Sequence, residues 1–310
     1  MPYCSSEAYL DLFDISPLET ETREERIENL RHRNVFRYRV KTIRAGGMLE
    51  CEIFPIWATQ GEASRAKKAK ESRKAQKNLN DKNTRKKIMR LTNNNFTDAD
   101  LWGTFGYDDE NLPASPEQAQ KDITNFIRRI KRRRKKLGLP PLRYIYVTEW
   151  KQEADEDGGE IRAHHHIILS GDMDRDEIES LWNGGAYPQT RRLRVKEDCG
   201  LNGLACYLSK GAKGQKRWGH STNLKMPVPT VADRKFTRRQ AERIAIDENA
   251  APALFEKLYK GYGFKQIDIK RSDFVAGAYI YVQMFRKEPP APKKKQRAGA
   301  KKRKEQNHVC

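Results

Sequence analysis

Three of this chain's six histidines stand side by side at His164, His165 and His166 and run directly into Ile167, Ile168 and Leu169. The apolar continuation, closed by Ser170 and Gly171, reads as a strand buried within a sheet rather than one at an edge. Successive side chains of a strand project to opposite faces, so His164 and His166 share one face while His165 takes the other. Two imidazoles on a common face form a pair able to hold a metal ion. Clustered histidines can also be plain core or surface residues, so the pair needs a third ligand to carry weight.

The preceding segment, residues 143–149, supplies one. It is β-branched and aromatic, and it ends in Glu149 before an acidic, glycine-containing stretch at 153–159 that suits a hairpin loop. Ile145, Val147 and Glu149 share a face. An antiparallel pairing with the histidine strand brings Glu149 beside His164 and His166, giving a set of two imidazoles and one carboxylate. Such nitrogen and oxygen ligands leave positions open for water and substrate. They suit Mn²⁺ or Mg²⁺ arriving with a phosphate, and on ligand type alone Zn²⁺ is compatible too.

The 310 residues carry a net charge of +20, and that charge is concentrated. Residues 64–90 hold twelve Lys/Arg against two acids, residues 286–310 hold ten against two, and residues 128–136 add eight more. Clustered cations bind polyanions by counterion release, which makes nucleic acid the default partner. A charge run that merely aids solubility explains the C-terminal cluster better than the interior ones. The residues offered to DNA are Arg128, Arg129, Arg132 and Arg133, with Lys213, Lys216 and Arg217 further on. No stretch has the length of a membrane-spanning helix and the start of the chain lacks a secretory pattern, so residence in the cytoplasm, with no membrane partner, is expected. The five cysteines show no CxxC pair and are expected to be reduced; Cys199 and Cys206 lack the second pair that a zinc site needs.

Local signals divide the chain. A polar, helical leader precedes two alternating strands, 35–43 and 48–57, around Ala45, Gly46 and Gly47, which read as a hairpin. Residues 64–90 have helix-forming composition with almost no apolar stripe before Ile88 and Leu91, and read as a basic arm lying on DNA rather than as core. A strand at 100–107 puts Leu101, Phe105 and Tyr107 on one face. Ser115, Pro116 and Gln118 form a helix start, and Ala119, Ile123, Phe126, Ile127, Ile130 and Leu137 form its stripe until Gly138 and Pro140 stop it. A short helix at 174–182, a strand at 192–195, a helix at 201–213 and a strand at 279–285 complete the reading. The expected class is α+β, a central antiparallel β-sheet flanked by helices, with a basic arm and a disordered basic C-terminal tail. The expected divisions are a leader with hairpin at 1–60, the arm at 61–95, a catalytic-type domain at 96–285 and the tail at 286–310.

In the helix at 201–213, Tyr207 and Lys210 lie three apart on one face, beside an apolar stripe of Leu201, Leu204 and Leu208. A phenol has a reference pKa near 10 and needs a cation or base to act as a nucleophile. Next to a His-His-Glu metal site, Tyr207 can attack phosphorus while Lys210 neutralises phosphate oxygens. Taken in order, the 101–107 strand, the Glu149 strand, His164-x-His166 and Tyr207-x-x-Lys210 resemble the HUH endonucleases, specifically single-tyrosine rolling-circle replication initiators of phages, plasmids and integrative elements. The likeness runs from about residue 96 to 285 and includes the segments at 216–224 and 259–262. It departs from the family pattern at His165, where a bulky apolar residue is usual, and at Gly103 and Gly106. The resemblance implies His164 and His166 as metal ligands with Glu149 as third, and Tyr207 as nucleophile. It also implies nicking of single-stranded or extruded origin DNA through a 5′-phosphotyrosine with a free 3′-OH primer. No phosphate-binding loop of a fused helicase is present, so a host helicase and polymerase are the implied partners. Two other readings stay open: a relaxase or transposase of the same chemistry, and a non-catalytic nucleic-acid-binding protein.

Overall fold

The computed structural model describes residues 35–57, 73–150, 162–185, 188–211, 218–272 and 275–287. The leader, most of the hairpin's approach to the arm, the acidic loop at 153–159 and the C-terminal tail lie outside the described residues. So do Lys213, Lys216 and Arg217.

Among the described residues there are ten strands, most of them rich in β-branched and aromatic side chains: β1 (Val35–Ala45), β2 (Met48–Trp57), β3 (Leu101–Gly106), β4 (Tyr144–Glu149), β5 (His164–Leu169), β6 (Gln189–Arg192), β7 (Trp218–His220), β8 (Thr230–Ala232), β9 (Tyr262–Ser272) and β10 (Val275–Arg286). Six α-helices accompany them among the described residues: α1 (Arg73–Asn95), α2 (Pro116–Lys136), α3 (Arg175–Ser180), α4 (Asn202–Gly211), α5 (Arg238–Ile246) and α6 (Ala251–Leu258). The strands make two antiparallel five-stranded sheets, ordered β6-β3-β5-β4-β7 and β8-β1-β2-β10-β9. The expected α+β class holds, with two sheets in place of one.

The histidine strand β5 is the middle of the first sheet, as its unbroken apolar run requires. On the back face, Leu101, Phe105, Ile167 and Leu169 pack under Ile123, Phe126, Ile127 and Ile130 of α2. That helix starts where the sequence reads it: Ser115 accepts from the Gln118 amide and Pro116 fills the first turn. On the front face, Trp102, Ile145, Val147 and Ile168 meet Leu201, Ala205 and Leu208, the last two from α4, and Ile88 and Leu91 of α1.

In the second sheet one face packs Val40, Leu49, Ile53, Ile280 and Val282 against Ile244 of α5 and Phe255 of α6. The other face turns Glu50 and Glu52 toward Lys86 and Arg90 of α1. The hairpin turn seats on the end of α1: Gly46 has φ 58°, and a Cβ there would stand 2.2 Å from the Asn93 carbonyl oxygen. Only glycine meets both conditions.

Three expectations change. The C-terminal end of α1 belongs to the core, with Ile88, Met89 and Leu91 buried, because the seam between the two sheets needs apolar cover that the arm reading withheld. The strand expected at 192–195 lies at Gln189–Arg192. Strands β7, β8 and β9 and helices α5 and α6 have no counterpart in the sequence reading. The hairpin read with the leader shares a sheet with β10, through pairs such as Cys51 with Val282.

Candidate active site

The site grows from strand register. Glu149 of β4 pairs directly with His164 of β5, and Val147 pairs with His166, so alternation places Glu149, His164 and His166 on the front face. Their ligand atoms all lie within 4.8 Å of one another. Nε2 of His164 is 3.1 Å from Nε2 of His166 and 3.2 Å from a Glu149 oxygen, and the His166 nitrogen is 3.9 Å from the other oxygen.

Partners behind the rings fix which nitrogen faces the cluster. His164 Nδ1 is 2.8 Å from the Arg162 carbonyl, which only accepts, so Nδ1 carries the hydrogen and Nε2 keeps a lone pair. His166 Nδ1 sits 3.2 Å from the Thr104 hydroxyl, which can accept in the same way. Trp102 stacks on the His166 ring, with centroids 4.9 Å apart and planes at 19°, and holds its orientation. Two nitrogen donors and a carboxylate aimed at one point, each backed by a hydrogen-bond partner or stacked ring, fit a divalent cation. The electrostatics agree. Burial works against charge on His164, but the Glu149 carboxylate and the Arg162 carbonyl outweigh it and raise its pKa, so a proton and a cation compete for Nε2. Burial, then the neighbouring His164, push His166 down to about 4, so it stays neutral and available as a ligand.

Tyr207 reaches this cluster from α4. Its hydroxyl lies 3.1 Å from His166 Nε2, its ring meets Trp102 edge-on at 6.1 Å, and it is 43% exposed, enough for a substrate to approach. Leu208 and Ala205, fully buried, clamp the helix to the sheet so that Tyr207 projects past it. Burial and the Glu149 charge raise the phenol's pKa, so by itself it is a poor nucleophile at neutral pH. A cation held by the triad would offset that effect. Lys210 follows on α4, with its side chain outside the described atoms.

His165 explains itself. It is fully buried on the back face, with Thr148 2.9 Å from Nδ1 and Tyr107 2.7 Å from Nε2. Tyr107 in turn donates to Asp122 of α2. Burial, with the two flanking imidazoles, pushes its pKa down to about 3, so it is neutral and stands where an apolar side chain would. Gly103 likewise has a local cause, since a Cβ there would come 2.5 Å from the Phe105 ring.

The arginines of α2 do not join the cluster. They ride on the helix behind the sheet, across its thickness from the triad. Arg129 donates to the Leu181 carbonyl, Arg133 pairs with Glu177 and Arg128 bonds Asn125, while Arg132 is exposed. Of the other tyrosines, Tyr259 is buried in the second sheet's core, bonded to Thr42, and Tyr187 lies outside the described residues. The sequence reading missed Trp102 and Thr104 as supports of His166. Their signal was face counting along β3, where they alternate with Leu101, Gly103 and Phe105.

The central strand of an antiparallel sheet thus offers two imidazoles, with a carboxylate beside them that completes a group able to hold a metal ion, and an exposed phenol at their rim. Residues 100–212 match the family model described as replication-associated protein ORF2/G2P. That span runs from β3 through α4 and contains Trp102, Thr104, Glu149, His164, His166 and Tyr207. The match supports a Rep-like protein with a role in replication initiation. No curated protein and no solved structure matches the chain. Among the described residues no helix is long and apolar enough to cross a membrane.

Proposed function

We propose that the chain is a rolling-circle DNA replication initiator that nicks single-stranded origin DNA by metal-dependent tyrosine transesterification. His164, His166 and Glu149 would hold Mn²⁺ or Mg²⁺, and the ion would supply charge neutralisation at the non-bridging oxygens of the scissile phosphate. The Tyr207 oxygen forms a bond to phosphorus as the bond to the 3′ oxygen breaks. The phenol gives up its proton and the departing 3′ oxygen takes one up, leaving a 5′-phosphotyrosine and a free 3′-OH primer. Lys210, one turn beyond Tyr207, serves phosphate neutralisation in this scheme. Trp102 and Thr104 keep His166 in line. Arg128 and Arg132, with Lys213, Lys216 and Arg217, are sites of phosphate contact away from the reacting atoms. A host helicase would unwind the duplex and a host polymerase would extend the primer.

The observation that carries this reading is the 3.1 Å approach of the Tyr207 hydroxyl to His166 Nε2 within the triad. The test is incubation with a labelled pool of single-stranded oligonucleotides and Mn²⁺. Wild type forms a denaturation-resistant protein–DNA adduct; chelation, Tyr207→Phe and His166→Ala each abolish it while DNA binding persists. An adduct that forms equally well under chelation contradicts the metal's part. DNA binding without any adduct points to a non-catalytic binder.

A further inference from the structure

The front face has an open side and a closed side. Helix α4 covers Ile145, Val147 and Ile168, which closes the approach over β4. On the opposite side, β6 is the sheet's edge strand. Register sets Gln189 opposite Thr104 and Arg191 opposite Trp102, so both point to the face that carries the triad. Gln189 therefore stands in the same cross-strand row as His166, two strands or about 10 Å away. Both side chains are exposed.

The neighbouring arginine behaves differently. Arg192 points to the back and is spent on the fold, donating to the carbonyls of Ala99 and Gly171. The Arg191 side chain makes no hydrogen bond or ion pair with any described residue. A guanidinium left unpaired beside a nucleophile, on the open flank of a sheet, is placed to meet an anion.

We propose that β6 is a ledge for the single-stranded DNA that enters the site, with Arg191 gripping a phosphodiester beside the scissile one and Gln189 touching the adjoining sugar or base edge. This rests on the nicking reading for the identity of the strand. The bound chemistry is a phosphodiester of an unpaired strand lying across β3 and β6, and Arg191 acts by holding that strand so that the reacting phosphate faces Tyr207.

The test uses the full chain carrying Tyr207→Phe, so that binding is read without reaction, and a fluorescein-labelled single-stranded DNA of mixed sequence with Mn²⁺ present. Affinity is measured across a salt series for Arg191→Gln, Arg191→Lys and Lys260→Gln, the last removing an equal charge at an exposed position on the second sheet's side. Arg191→Gln is expected to weaken binding about tenfold, as loss of one charge-assisted contact would. It should also reduce the slope of log affinity against log salt by about 0.7. Arg191→Lys should recover most of the affinity, which a merely misfolded variant would not, and Lys260→Gln should match the parent. Arg191→Gln indistinguishable from Lys260→Gln overturns the ledge. Adduct formation by wild type, assayed in parallel, separates the two readings. An adduct with unchanged Arg191→Gln binding sinks the ledge alone, whereas weakened binding with no wild-type adduct keeps the ledge and sinks the nicking chemistry.

Discussion

The two sheets have the same strand count and the same antiparallel habit, yet they treat ionisable groups in opposite ways. In β8-β1-β2-β10-β9, charge is buried and consumed. Glu50 is fully buried, with Arg90 Nε 2.5 Å away and the Tyr281 hydroxyl donating to it, and Glu52, 1% exposed, is shared by Arg90, Lys86 and Lys41. These ions tie α1 to the sheet. In β6-β3-β5-β4-β7 the buried imidazoles, His165 and His166, are kept neutral chiefly by burial, and the charge-bearing groups Glu149, His164 and Arg191 open to the front face. Ions that saturate one another serve as fasteners, and ions left facing one open point serve chemistry.

Breaking a fastener should have the largest effect on folding. Arg90→Ala strands Glu50 in a low-dielectric seam and leaves Glu52 to Lys86 and Lys41, and denaturant unfolding should show a loss of about 3–5 kcal/mol. A loss under about 1 kcal/mol would mean that the network is decorative and the contrast false. A smaller and more selective effect is expected at the site. Thr104→Val removes the acceptor behind His166 and should weaken Mn²⁺ binding about 10- to 100-fold by calorimetry with the melting temperature nearly unchanged. The mildest effect is one of pH. Burial opposes charge on Glu52, but Lys86, Arg90 and Lys41 together hold its carboxyl below the usual value of 4.5. A depressed carboxylate gives its full stabilisation above the unfolded-state value, and that stabilisation drains away as pH falls beneath it. Wild type should therefore lose stability as pH drops below about 4.5, and Glu52→Gln should flatten that limb at the expense of stability at neutral pH. An unchanged acid limb in the variant would assign it to other groups.

Much of the first sheet was legible because its signals are local. Alternation along residues 143–149 and 164–169 is enough to put Glu149 with the paired histidines, and the cap at Ser115 announces α2. The spacing of Leu201, Leu204 and Leu208 fixes which way Tyr207 points. The second sheet was less legible because β2 and β10 pair across the length of the chain, a contact with no short-range signature. Glu50 and Glu52 alternate with Leu49, Cys51 and Ile53, a pattern that carries no sign of cover on the acidic face, and only the cations of α1 reveal that both faces are covered. The same contact explains why the arm reading of 64–90 fails at its end: Ile88, Met89 and Leu91 form no stripe on a helix that is covered from two sides. For β6, the alternation of Leu193 and Val195 with arginines pulled the expected strand three residues too late. The Leu193 amide still bonds the Asp100 carbonyl, but Val195 is 42% exposed, so the ladder's regular part ends at Arg192.

The central claim is that one phenol, Tyr207, is the atom source for the bond to DNA. Digestion of the Mn²⁺-dependent adduct followed by peptide mass mapping tests it directly. The account predicts a nucleotide mass on the peptide containing Tyr207. A label on Tyr187, Tyr259 or Tyr262, with Tyr207 unmodified, would contradict it.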